Sequence, residues 1–271
     1  MEPDTVLGTI NRENAKRMIE LDGALNELVI ANRILANEDV VDAYGHVSIR
    51  HPGNPERFLM ACMLAAPEMV DRADLMEFSL DGQAVNDDRT PSIERFIHCG
   101  IYEARPDVQA VVHAHAEDTL PFGITDVALR PVIHSGSFIG AHVPVWDIAD
   151  NFGDTNLLVS NTAQGRDLAR CLGNNNVALM RGHGFAAAAR SLIDVVRLSV
   201  YLPRNARVQL AAMQIGNFKP LSQGEIAARA AGYKPYTEQT WRAWHYWASR
   251  AGCGHMLGKP PAQDSKKREK A

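Results

Sequence analysis

Cysteine is sparse in this chain: Cys62, Cys99, Cys171 and Cys253 are scattered over 271 positions with no C-x-x-C pair. That speaks against a disulfide framework and for reduced thiols, buried by default, in a cytoplasmic protein. No apolar run approaches the roughly 20 residues needed to cross a bilayer. The N-terminal "MEPDTVLGTINREN" is acidic and polar where a signal peptide carries a basic start and an apolar core, so neither a membrane span nor export is expected. Excess positive charge is missing as well. A formal net charge of -4 argues against a nucleic-acid or anionic-membrane surface and leaves small molecules as the expected partners. There is no internal repeat and no composition shift that marks a boundary. What remains, 46% hydrophobic and 22% charged, is the make-up of an ordinary soluble domain with enough apolar residues for a sizeable core.

Helix-period and strand-period segments interleave along most of that length. Residues 11–37 place Met18, Leu21, Leu25, Leu28 and Leu35 at three- and four-residue steps, which predicts an amphipathic helix with Asn11 as its N-cap. "GHVSIR" and "RFLMACM" read as strands around the turn "HPGNPE". "PSIERFIHCGIYEARPD" reads as a helix that stops before Pro106 and feeds the strand "VQAVVHAH". Further strands are predicted at Val132–His134, Leu157–Ser160 and Val177–Arg181, with a helix over Gly165–Leu172. A long helix follows from Leu192 to about Ile215, which Pro203 should kink or divide. A tryptophan-rich helix around Trp241, Trp244 and Trp247 is read as core or interface rather than a substrate lid. The expectation is a single α/β domain over residues 1–256 with a helical C-terminal extension, and a disordered tail at 257–271.

The chemistry sits where strands end. His113 and His115 close the run "AVVHAH", and side chains at i and i+2 of a strand share a face, so the two rings lie side by side. Such a pair is either a hydrogen-bonded structural feature or a chelate. His183 ends another strand between Gly182 and Gly184, where the absent side chains leave room for a close approach. Glu94 opens the helix that leads to the His113 strand, a place carboxylates also favour for the helix dipole alone. Brought together, three imidazoles and one carboxylate would hold a divalent transition metal with positions left open for substrate.

"ERFIHCGIYEARPDVQAVVHAH" followed by "MRGHG" resembles the class II aldolase/adducin family, and the resemblance runs from about Leu25 to Gly216. It implies a three-layer α/β/α fold with a mainly antiparallel central sheet. It also implies one divalent metal per subunit (zinc, manganese or iron) held by Glu94, His113, His115 and His183. The family's usual assembly is a homotetramer whose active sites lie at subunit interfaces under C-terminal segments. Family members that cleave sugar phosphates carry a G-N-x-S loop, a Thr/Gly-rich loop and a Ser-Ser before the glutamate. This chain has "GHVSIR", "LMACMLAAPEMV" and "PSIER" instead, so His46 and Ile93 stand where phosphate donors are expected.

The wording "YGHVSIR", "AAPEMVDRADLMEF" and "PFGITDVALRPVIH" is similar to a branch with metal-dependent decarboxylases of hydroxylated aromatic dicarboxylates. The resemblance therefore implies a carbon-carbon lyase in aromatic catabolism, with Glu94 and His46 as candidates for proton transfer. Arg50 and Arg181 are candidates for holding a substrate carboxylate, with structural pairing favoured for Arg181. "Ala61-Cys62-Met63" departs from that branch, which has a serine- and arginine-containing strand there. An aldolase acting on a non-phosphorylated hydroxy-keto acid and an iron-dependent oxygenase stay open as alternatives, as does a non-catalytic adducin-like assembly role. His98, His134 and His142 are read as structural.

Overall fold

The computed structural model describes residues 3–234 and 236–260, with side chains from residue 18 onward. Helix α1 (Pro3–Asn37) leads into the hairpin β1 (His46–Arg50) and β2 (Arg57–Ala61), then β3 (Leu75–Ser79), α2 (Arg95–Ala104) and β4 (Ala110–Ala114). A turn of helix α3 (Leu120–Gly123), the two-residue β5 (Val145–Trp146) and a turn α4 (Ala149–Phe152) precede α5 (Thr162–Leu172), β6 (Val177–Met180) and β7 (Gly184–Ala189). Three helices finish the chain: α6 (Leu192–Ile215), α7 (Gln223–Ala231) and α8 (Glu238–Arg250).

The seven strands form one sheet in the order β3-β2-β1-β4-β7-β6-β5. Every neighbouring pair is antiparallel except β5 and β6. Both faces are covered, because alternate residues of each strand go to separate cores. Val47, Leu59, Val112, Leu179 and Phe185 join Leu28, Ile34, Val196 and Trp244, which come from α1, α6 and α8. Phe58, Met60, Phe78, Val111 and Met180 join Ile97, Ile101 and Leu168, which come from α2 and α5. These are helix, sheet and helix layers. Trp244 and Trp247 are buried in the first core, as their reading from sequence expects.

The helices α2 and α5 cross where neither has a side chain. A Cβ on Gly100 would lie 2.2 Å from the Gly165 carbonyl oxygen, and one on Gly165 would lie 2.0 Å from that of Phe96. Since Glu94 immediately precedes α2 and α5 follows the Val159 loop, this contact sets how two parts of the candidate site meet.

Several expectations are corrected. Asn11 is not an N-cap, because α1 starts at Pro3. No strand forms at Val132–His134: the Val132 and Ile133 N–H groups donate to the Asn205 side chain of α6, and His134 opens a 3-10 turn. No strand forms at Leu157–Ser160 either, since the Val159 N–H is taken by the Glu94 carboxylate. Pro203 does not divide α6; Leu198, Val200, Leu202 and Ala206 are buried on both sides of it, and packing outweighs the lost hydrogen bond, a cost of about 3 kcal/mol. Strands β3 and β7 and helix α7 were not anticipated from sequence. The expected disordered tail falls largely on residues 261–271, outside the described residues. The four cysteines are free thiols, and no described helix is long and apolar enough to cross a membrane.

Candidate metal centre

Pairing of β4 with β7 creates the site. His113 faces Ala186 and Ala114 faces Phe185 across the ladder, so the chain just beyond β4 meets the turn between β6 and β7. His115 lies in the first segment and His183 in the second. The turn depends on its glycines: Gly182 sits at φ +65, and a Cβ on Gly184 would lie 2.2 Å from the Ala114 carbonyl oxygen. Glu94 enters from the α2 side as the residue immediately before that helix. The ligand atoms of Glu94, His113, His115 and His183 all lie within 4.8 Å of one another.

Their hydrogen bonds decide which atoms face inward. His113 Nδ1 lies 3.0 Å from the Phe185 carbonyl oxygen, which can only accept, so Nδ1 carries the proton. His115 Nδ1 lies 3.1 Å from the Asp42 carboxylate and is a donor for the same reason. In neutral rings both Nε2 atoms are therefore bare lone pairs, yet they stand 3.0 Å apart with no proton to share. Glu94 Oε1 accepts the Val159 N–H, which leaves Oε2 turned inward, 3.5 Å from the Nε2 of both His113 and His183. Two imidazole lone pairs and a carboxylate oxygen converging on one point repel one another unless a cation lies between them, so the donor set fits a divalent transition metal. His183 Nδ1 is buried and has no partner among the described residues, so backbone geometry rather than a hydrogen bond orients this ring.

Electrostatics agree with that arrangement. Burial pushes the Glu94 carboxyl upward, but the neighbouring His113 and His183 imidazoles outweigh it and hold the group well below the usual carboxylate range. Burial likewise lowers His113 and keeps that ring neutral. Asp42, missed in the sequence reading, is lowered despite partial burial because the Tyr44 and Gly45 N–H groups and His115 all donate to it. Replacing it with asparagine should leave the fold intact and weaken metal binding about 10- to 100-fold, the usual cost of losing a carboxylate behind a ligating imidazole, measurable by competition with a chelator.

The remaining predicted residues divide. His46 lies opposite His113 in the ladder, with the two ring centroids 5.1 Å apart. Burial first, and the neighbouring His113 ring second, lower His46 to about 3, so this ring is uncharged. Arg50 is not brought to the cluster: it lies four residues further along β1, and its guanidinium donates to the carbonyls of Pro55, Tyr102, Arg105 and Val108. Arg181 is held in an ion pair with Asp147. A separate cavity of about 330 Å³, lined by residues including Arg105, Phe138, Arg197 and Tyr233, lies at the opposite end of β7, beside Ala189. It contains no histidine, so the chemistry belongs to the cluster.

Comparison with known proteins bears on the family and the fold. The chain is 34% identical over 244 residues to Decarboxylase tropJ of Talaromyces stipitatus, covering 82% of this chain and 92% of that protein. It is 25% identical to the 3,4-dihydroxyphthalate decarboxylase of Arthrobacter keyseri, covering 81% and 92%. Among solved structures, an aldolase II superfamily protein from Pseudomonas syringae superposes with a TM-score of 0.71 at 23% identity, over 86% of this chain and 95% of that one. Residues 26–210, from α1 through most of α6, match the family described as Class II Aldolase and Adducin N-terminal domain, and a match across so much of the sheet and its helices means that the chain belongs to that family.

Proposed function

We propose that the protein is a metal-dependent carbon-carbon lyase that decarboxylates a hydroxylated aromatic or heteroaromatic carboxylic acid. The observation that carries this reading is a metal-type donor set whose Glu94 segment is tied to an apolar loop. Met63 and Leu64 are exposed, at 41% and 92%, and the Met63 N–H donates to the Thr90 carbonyl. That bond ties their loop to the segment that carries Ile93 and Glu94. A doubly charged phosphate buried against these side chains would lack donors, whereas a flat ring would shed water favourably. The decarboxylase names of two relatives support the same direction.

A divalent ion held by Glu94, His113, His115 and His183 would supply a Lewis acid for the negative charge that develops as the carbon-carbon bond breaks. Glu94 does the proton work. The Val159 N–H fixes its Oε1, and Oε2 takes the proton of the substrate hydroxyl and delivers it to the ring carbon that bears the carboxylate, so that the electron pair of the carbon-carbon bond returns through the ring to the hydroxyl oxygen as carbon dioxide leaves. Arg50, whose donors are already committed to carbonyls, has no part in this. Arg181 keeps its structural pair with Asp147. The oligomer is expected to be a tetramer, with the exposed Met63, Leu64 and Ile93 covered by substrate or by a neighbouring subunit.

The test is a panel of aromatic acids offered to the zinc-, manganese- or iron-loaded protein, with carbon dioxide as the readout. Acids with a hydroxyl ortho to the carboxylate should react, and isomers with the hydroxyl elsewhere should not, since only the ortho pair chelates. Release from both classes alike, or from neither, contradicts the reading.

A further inference from the structure

Behind the cluster, four buried polar groups stand in one hydrogen-bonded file. The Tyr102 hydroxyl is 2.8 Å from Ser48 Oγ, Ser48 Oγ is 2.6 Å from His98 Nδ1, and His98 Nε2 is 2.7 Å from His46 Nδ1. All four residues are buried. The file ends on His46 Nε2, a buried nitrogen with no partner among the described residues, on a ring whose titratable neighbours besides His98 are Glu94, His113, His115 and His183.

Hydrogen-bond accounting gives the file a direction. Among the described residues the Tyr102 hydroxyl has a single acceptor, Ser48 Oγ, so it donates there. Ser48 then donates to His98 Nδ1, which must be bare. A neutral His98 carries its proton on Nε2 and donates it to His46 Nδ1. A neutral His46 therefore carries its own proton on Nε2. The reverse polarity would turn every bond around and leave the Tyr102 O–H buried without an acceptor, at the full desolvation cost of that group.

We propose that Tyr102, Ser48 and His98 are positioning residues that fix His46 as a neutral Nε2–H donor turned toward the cluster. Its partner is the substrate oxygen on which charge gathers as the carboxylate departs. This deepens the decarboxylase reading and rests on it for the identity of that oxygen. It also separates the roles of the two candidate proton carriers. Giving up the Nε2 proton would leave an imidazolate or, through the file, a Tyr102 phenolate, which burial makes unfavourable. His46 polarises without transferring, as a preorganised dipole does, and Glu94 moves the proton.

The test reads the tautomer directly and needs no substrate. Nitrogen-15 spectra of the histidines are recorded on the metal-free and the zinc-loaded protein, with the His46 signals assigned by their disappearance in His46→Gln. The expected result is one tautomer at His46, Nε2 protonated and Nδ1 bare, in both samples. His98→Gln, whose amide can face either way, should release both tautomers and lower kcat by about tenfold with KM little changed. A wild-type His46 protonated on Nδ1, or on both nitrogens, overturns the proposal. So does a zinc-induced shift that marks Nε2 as a ligand. The wild-type spectra decide the matter even if His98→Gln does not fold. Failure to release carbon dioxide from any ortho-hydroxy acid would remove the reaction reading alone and leave the His46 tautomer standing.

Discussion

His115→Ala is expected to leave a folded protein that no longer retains a divalent metal through dialysis and has no measurable turnover. His115 is only partly buried, so removing its ring costs the fold little. For the metal the loss is large. Losing the carboxylate behind a ligating imidazole already costs about 10- to 100-fold in affinity, and losing the imidazole itself should exceed the upper end of that range. His113→Ala and His183→Ala should also abolish retention. His113→Ala additionally opens a void in a fully buried position and should lower the melting temperature, so His115→Ala is the cleaner test. Metal analysis and circular dichroism on the same samples separate loss of ligand from loss of fold. A His115→Ala protein with full metal occupancy would contradict the site.

Glu94→Gln is the second large effect. The glutamine keeps the size of the side chain and an oxygen for the Val159 N–H, so the loop holding that N–H should stay in place. It loses the negative charge facing His113 and His183, and with it the capacity to carry a proton. Metal affinity should fall, but saturating metal should restore occupancy. Turnover should stay depressed by about 10²- to 10⁴-fold, the usual worth of a positioned acid-base group. If saturating metal restores turnover as well, Glu94 is a ligand and nothing more.

Much of the fold was legible because local pattern and tertiary role coincide. The helical spacing of Ile97 and Ile101 marks α2, and the i, i+2 placement of His113 and His115 does put both rings on one face, their centroids 4.9 Å apart. The failures arise where a distant partner decides. "GFAAAA" has little strand propensity, yet β7 is a central strand because β4 and β6 pair with both its edges. "LLVS" reads as a strand, but one of its N–H groups is taken by Glu94, 65 positions away. The site was legible to the same degree. Its four ligand-type residues follow from strand-end histidines and the family pattern, whereas Asp42 lies 73 positions from His115 and His98 lies 52 from His46, distances over which spacing carries no signal. Arg50 shows the converse: an arginine near a site motif invites a substrate role, but its position in the ladder delivers it to four backbone carbonyls.

The central claim is that this site breaks a carbon-carbon bond by decarboxylation and returns a proton to the ring. It is tested most directly by running the metal-loaded protein under nitrogen in deuterated water on an ortho-hydroxy aromatic acid. The account predicts carbon dioxide release without oxygen and one deuterium at the carbon that lost the carboxylate, because the hydroxyl proton that Glu94 relays has exchanged with solvent. Turnover that requires oxygen, or inertness toward such acids together with robust cleavage of a ketose 1-phosphate, would contradict it.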